Sequence, residues 1–327
     1  MKRIFAVVLA YLLAAAAPAV AQTYNITLSG ASPGGLWSLI GAGVDGAVRA
    51  AYPGSVVTYQ TSGGGFANIA MLDRGEGQLG IAHAQELKLA VDGEAPFKAP
   101  VTSMRAIAYL YNWSPLHSIA SKDFADKHGL KTLSDIAEKK VPARIAINKR
   151  GNIAGDTAVA MLEAAGITEQ ELESWGGKLV YAASAEQAEL LLNRRIDMLI
   201  NGLFVRHSSV RQIDEAIDVV LLGISDEVAD AVNERMSTET FVIPANSYKN
   251  QGEPINTVTV SAALVASEKM DEELAYNITK ALFEQIDQLK AVHGSMKAVT
   301  PELMVSLKVV PYHPGAVRYL KEAGLVK

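Results

Sequence analysis

Short apolar runs alternate with longer segments of helical spacing along most of the chain. Val56, Val57, Thr58 and Tyr59 are β-branched or aromatic, as strands prefer. Phe66, Ile69, Ala70 and Leu72 recur at helical spacing, and Gly63, Gly64 and Gly65 stand between the two runs. The same reading predicts further strands at Tyr24–Ser29, Gln78–Ala82, Arg105–Tyr111, His117–Ala120, Arg144–Asn148, Lys178–Ala182, Ile196–Asn201 and Ala216–Leu222, and one from Ser261. It predicts helices over Leu36–Tyr52, Phe66–Asp73, Lys131–Lys139, Ala158–Ala165, Ser184–Asn193, Phe204–Ile213 and Asp271–Val292, with a last short helix opened by Tyr312-His313-Pro314-Gly315-Ala316. Strands alternating with helices imply βα units, a largely parallel sheet and an α/β fold.

Three predicted strand ends carry small or polar turns that lead into helices: Ser29–Gly35, Ser62–Gly65 and Asn148–Thr157. Open α/β sheets bind ligands beyond the carboxyl ends of their strands, and helix N-termini favour anions. The triple-glycine turn frees the backbone for close approach. Ser62 adds a hydroxyl beside it, and Asn68 follows one turn into the helix. Asn68 has two readings, a ligand contact or a tie that holds the glycine turn in shape, because its amide both donates and accepts. His83 follows a strand on the presumed ligand side and reads equally as a structural histidine. Trp37 and Tyr109 are aromatic candidates for a cleft wall, although the ordinary place of an aromatic is the core.

Composition narrows the class. The 327 residues contain no cysteine, so no disulfide framework stabilises the chain. Lys2 and Arg3, the apolar stretch Ile4–Ala17 and the A-x-A site Ala19-Val20-Ala21 form an export signal cleaved after Ala21. Removing two positive charges takes the formal net charge from −5 to −7. That balance argues against nucleic acid or an anionic membrane as partner. The apolar stretch is shorter than the roughly 20 residues of a membrane span, and the length suits two domains.

Two motifs point to enzymes and both fail on chemistry. Gly30-Ala31-Ser32-Pro33-Gly34 satisfies G-x-S-x-G, the elbow of a secreted serine hydrolase with Ser32 as nucleophile. Its oxyanion hole needs the backbone N–H of the residue after the serine, and Pro33 has none. Gly41-Ala42-Gly43-Val44-Asp45-Gly46 satisfies G-x-G-x-x-G but lies inside a helical pattern, and no Asp or Glu occurs between Asp45 and Asp73. These glycines read instead as close-packing positions of a helix facing the sheet. His83, His117, His128, His207, His293 and His313 are scattered without metal-ligand spacing. Arg194, Arg195, Arg206 and Arg211 read as solvated helix faces. No cofactor, metal or catalytic residue is expected.

Ordered motifs across most of the chain carry a family likeness. Gly34-Gly35-Leu36-Trp37-Ser38-Leu39-Ile40-Gly41 is similar to G-G-x-Y-Y-x-x-G, and Gly64-Gly65-Phe66-Ala67-Asn68 to G-S-x-x-N, with Arg74–Ile81 following. Arg194-Arg195-Ile196-Asp197, Glu273–Leu282 and His313–Ala316 continue the series. The chain thus resembles the TAXI receptors, the extracytoplasmic solute-binding subunits of tripartite ATP-independent (TRAP) transporters. The resemblance implies a two-lobed type II periplasmic-binding-protein fold hinged by crossing strands, with 22–115 and 256–327 in one lobe and 116–255 in the other. It implies a monomer that closes on a small carboxylate or amino acid in the periplasm and delivers it to TRAP membrane permease subunits. The candidate ligand-binding set is Gly35, Trp37, Ser62, Gly64, Gly65, Asn68 and His83 in the first lobe, with Asn148, Asn152, Thr157 and Asn201 in the second. A binding protein of an ABC importer would share the fold. The chain departs from the pattern at Trp37 and Ser38, where the family has paired tyrosines. It also departs at Gly65 for serine, at His83 for glutamine and at Asp156 for an inner glycine. No residue matches the central arginine of other TRAP receptors.

One prediction follows from Pro33. Ser32→Ala should leave unchanged any ester hydrolysis that the purified protein shows. Complete loss of such hydrolysis in a folded variant would restore the hydrolase reading.

Overall fold

The computed structural model describes residues 22–327, so the export signal read at Met1–Ala21 lies outside the described residues. Among the described residues no helix is long and apolar enough to cross a membrane. The strands are β1 (Asn25–Ser29), β2 (Val56–Gln60), β3 (Leu79–Ala82), β4 (Met104–Ser121), β5 (Arg144–Ile147), β6 (Lys178–Tyr181), β7 (Met198–Gly202), β8 (Val219–Leu221), β9 (Glu239–Ile243) and β10 (Ile255–Ser267). They lie in the order β2-β1-β3-β10-β4-β7-β5-β6, with β8 on β4 and β9 on β10. The fold is α/β with two lobes of the type II binding-protein kind.

The sheet is mixed, not largely parallel. β1 pairs in parallel with β2 and β3, and β5 with β6 and β7. Between these blocks β4 and β10 run antiparallel to each other and to their neighbours. Both strands are buried on both faces, so their apolar runs do not alternate and periodicity does not reveal their direction. The two extended stretches read at Arg105–Tyr111 and His117–Ala120 are one 18-residue strand. Pro115 sits where β4 changes partner: it is the last residue registered on β10, opposite Thr259, and Leu116 is the first on β7, opposite Gly202. A proline removes one ladder donor, and here it does so where the ladder switches.

One hydrophobic cluster covers a face of the first lobe and continues past Tyr111, whose ring stands edge-on to Phe204 at 4.9 Å, into the second lobe. A second cluster around Leu133, Ile145, Ile147, Met161 and Ile200 includes Val258 and Val260 of β10. A third, around Ile69, Leu72, Leu87 and Met104, includes Ala263 and Val265 of the same strand. Consecutive stretches of β10 thus serve the cores of both lobes.

Several elements differ from expectation. Helices at Ala84–Asp92, Lys122–His128, Glu169–Ser174 and Asp226–Met236, and strand β9, lie where none was read. The helix predicted from Ala158 begins at Ile153, five residues earlier, because Asn152 caps it through a 3.0 Å bond from the Ala154 amide. The helix read as continuous over Asp271–Val292 breaks at Gln285 into Glu272–Glu284 and Ile286–Ala291. Of the close-packed glycines only Gly41 faces the sheet, where a Cβ would come within 2.4 Å of the Tyr59 ring. Gly43 and Gly46 instead admit the segment Gln288–Val292, with Val292 and Gln288 atoms each 2.9 Å from the Cβ positions.

The hinge expected at Tyr111–Ala120 and Val258–Val265 falls on β4 and β10, the two strands common to both blocks of the sheet. Small-angle scattering should therefore show a smaller radius of gyration with saturating ligand than without. Unchanged dimensions at saturation would count against closing lobes.

Candidate functional site

Helix starts converge where the lobes meet. The helices Leu36–Ala51, Ala84–Asp92, Ile153–Ala164 and Ser184–Leu192 all begin at a common cavity, through Gly35, His83, Asn152 and Ser184 respectively. The first two follow β1 and β3, and the last two follow β5 and β6, so the cavity lies at strand carboxyl ends. Its volume is about 30 Å³, room for little more than water by the usual size of a buried water site. Close approaches flank it. A Cβ on Gly34 would lie 2.9 Å from that of Ala185, and one on Gly35 would lie 3.3 Å from the Ser184 hydroxyl. The Gln85 amide also donates to the Ser237 carbonyl at 3.0 Å.

Six of the eleven candidate residues line the cavity: Gly35, Trp37, His83, Asn148, Asn152 and Asn201. Asn148 Nδ2 donates to Asn201 Oδ1 at 2.8 Å, so the side chains at the ends of β5 and β7 orient each other. The Trp37 indole lies 4.7 Å from the His83 ring, centroid to centroid, and its Nε1–H donates to the Tyr111 hydroxyl at 2.8 Å. That leaves the Tyr111 O–H free to donate onward, and burial holds its phenol pKa above the usual value. Ser32 also lines the cavity, immediately before Pro33.

The other five do not line it. Asn68 is fully buried; its Nδ2 contacts the carbonyls of Ser29, Gly30 and Ile81 at 3.1, 2.8 and 2.7 Å, and its Oδ1 accepts from the Ser62 hydroxyl at 2.7 Å. The Gly64 amide donates to the Ser62 hydroxyl at 3.0 Å. Of the two readings of Asn68, the geometry is that of the tie: it joins the ends of β1 and β3 to the glycine turn. Gly64 has φ 109° and packs on Gly151 and Asn152 of the other lobe. Thr157, expected in a loop, is buried inside the Ile153–Ala164 helix, and its hydroxyl has no partner among the described residues. Tyr109 is half-buried and does not line the cavity. Of the arginines read as solvated helix faces only Arg211, paired with Glu215, is on a helix; Arg194, Arg195 and Arg206 are exposed in turns, and Arg206 donates to the Asn246 and Ser247 carbonyls.

Sequence reasoning missed Tyr111, Ser184 and, above all, Glu86. Glu86 is fully buried, and Oε2 accepts from the His83 amide at 2.8 Å and lies 3.1 Å from His83 Nδ1. Its Oε1 accepts from the Ile153 amide at 3.3 Å, so the carboxylate of one lobe caps a helix of the other. The signal was present as an acid three residues after a helix cap, but the Ala84–Asp92 helix was not recognised. Gly65 is explained by the same group: a Cβ there would lie 1.6 Å from Glu86 Oε2. Among the described residues no cluster of three or more His, Asp or Glu could hold a metal.

Comparison with known proteins gives a match to the NMT1-like family over residues 28–324. The fold is similar to that of MatC from Rhodopseudomonas palustris with bound malate: TM-score 0.60, 13% identity, 92% of this chain and 97% of that chain covered. It is also similar to a protein from Bordetella bronchiseptica RB50, with TM-score 0.52, 12% identity and coverage of 92% and 98%. At these identities the likeness shows the fold and nothing about the ligand.

The geometry separates two kinds of asparagine. Asn68→Ala should lower stability by about 3 kcal/mol, because buried carbonyls lose their donor. Asn148→Ala should cost about 1 kcal/mol or less but weaken ligand binding roughly tenfold or more. Denaturant midpoints and calorimetric titration check both. An Asn68→Ala protein of wild-type stability that no longer binds would make Asn68 a ligand contact instead.

Proposed function

The chain belongs to the NMT1-like family, and on that premise we propose that it is an extracytoplasmic solute receptor for a small organic acid or amino acid. One observation carries the proposal: four helix starts meet at a cavity whose lining contains no lysine, arginine, aspartate or glutamate. Helix starts present unpaired N–H groups and the positive end of the helix dipole. A carboxylate satisfies such donors without a cationic side chain. Asn148, Asn201, Ser184 and the Tyr111 O–H then hold the remainder of the molecule by neutral hydrogen bonds.

The chemistry of this lining favours binding over catalysis. Ser32 precedes a proline, and burial holds the Tyr111 phenol in its neutral form. The proposal includes export after Ala21, the lobe boundaries 22–115 with 256–327 and 116–255, action as a monomer, and no cofactor. It includes delivery to a TRAP permease, which rests on the ordered motifs similar to TAXI receptors. Delivery to an ABC importer is the alternative, and the gene neighbourhood separates the two, since a TRAP receptor is expected beside permease genes.

A thermal-shift screen of organic acids and amino acids tests the reading. A true ligand at 100-fold its Kd should stabilise the protein by about 2.7 kcal/mol. If no carboxylate shifts the transition while neutral sugars or amines do, the helix starts are not an anion site.

A further inference from the structure

The charges around the cavity are of one sign. No cationic side chain lines it, yet one anionic side chain lies immediately behind it. Glu86 is fully buried, contacts the cavity-lining His83 ring and touches the Ile153 amide next to Asn152. Its contacts are to N–H donors and a ring nitrogen, none a permanent cation. A second acid, Asp156, stands one turn into the Ile153–Ala164 helix. Burial raises its pKa, the Glu86 charge raises it further, and the Arg150 charge opposes both. Arg150 is mostly exposed, its guanidinium lies over the Tyr181 ring at 4.0 Å and it pairs with Glu169 at 3.4 Å.

We propose that Glu86 is a specificity-determining residue that makes the cavity select ligands with a single carboxylate, an amino acid or hydroxy acid with an uncharged or cationic remainder, over dicarboxylates. The inference deepens the proposed receptor function and rests on it. Glu86 already takes the His83 amide and the Ile153 amide, at the starts of two of the four helices, so a carboxylate is left with the starts of Leu36–Ala51 and Ser184–Leu192. A ligand with one carboxylate spends its charge on free donors. A dicarboxylate must bring its second charge towards a buried carboxylate in a medium that screens poorly. An ammonium group would be attracted to the same place. Glu86 does not line the cavity, so it acts through its field and through His83.

The test is calorimetric titration of wild type and Glu86→Gln with matched pairs: propionate and succinate, L-lactate and L-malate, L-glutamine and L-glutamate. In wild type the tightest binder should be a monocarboxylate, at least about tenfold ahead of its dicarboxylate partner, since like charges separated by a few ångströms at intermediate dielectric repel on that scale. Glu86→Gln should shrink that ratio to about threefold or less, mainly by improving the dicarboxylate. If Glu86→Gln is unfolded by circular dichroism, Asp156→Asn, which removes a second negative charge in the first turn of the Ile153–Ala164 helix, should shrink the ratio by less in the same direction. A wild-type preference for the dicarboxylate, or a ratio unmoved by both variants, overturns this inference and leaves the receptor reading standing. Failure of all six acids to bind overturns both.

Discussion

Two antiparallel strands carry the structure's central constraint. β4 and β10 must each belong to both lobes, so their side chains must satisfy a core on both faces and at both ends. Eleven of the thirteen residues of β10 are buried, and its Val258, Val260, Ala263 and Val265 are divided between separate apolar clusters. A strand in that position has no solvent face on which to place polar residues, and its sequence reads as one apolar run. Polar groups that do occur on it are bonded at once: the Thr257 hydroxyl donates to the Leu116 carbonyl at 2.7 Å. Everything nearer the cavity hangs from this pair, since the flanking parallel blocks attach to it through β3 and β7.

That constraint explains what could be read from the chain and what could not. The first lobe's elements, Leu36–Ala51, Val56–Gln60 and Gly65–Asp73, lie within about two residues of the expectation because glycine, proline and helical periodicity mark them locally. The direction of β4 and β10 is a property of pairing between residues far apart in sequence, and no local pattern encodes it. The Ala84–Asp92 helix escaped because its run of alternating polar and apolar residues starts at a histidine, an uncommon cap. Within the site, cavity-facing residues and the residues that hold them were indistinguishable. Asn68 and Asn148 both follow strands near turns, and only burial and bonding partners separate them. The bond of Glu86 to the other lobe was invisible because its partner, Ile153, is 67 positions away.

The site achieves anion complementarity by an indirect route. Side-chain cations are strongly hydrated or need partners when buried. Helix starts bring their donors already fixed and cost no desolvation of a full charge. The geometry needed is several helix starts at one point, and the parallel strands on either side supply it, since β1, β3, β5 and β6 all end on the same side. Glu86 is the counterweight. By capping Ile153–Ala164 from the other lobe it holds the lobes together, and it also places a negative charge where no cation answers it. Glycine at 65 is the steric condition for that carboxylate to be there at all.

Trp37 and Ser38 stand where the similar TAXI motif has paired tyrosines. Both spend their polar atoms inside the protein. The indole N–H goes to Tyr111, and the Ser38 hydroxyl donates to the Gly35 carbonyl at 2.7 Å. A tyrosine at 37 would carry a hydroxyl able to donate and accept, whereas tryptophan has one donor and no acceptor. Once that donor is used, Trp37 offers the cavity only an apolar ring face. Its tilted contact with the His83 ring extends that face across the first lobe's wall. Hydrogen bonding to a ligand therefore falls to the Tyr111 hydroxyl beside Trp37 and to Asn148, Asn201 and Ser184 on the opposite side. A ligand held this way has its carboxylate on backbone donors, its polar substituents towards the second lobe, and an apolar edge against Trp37.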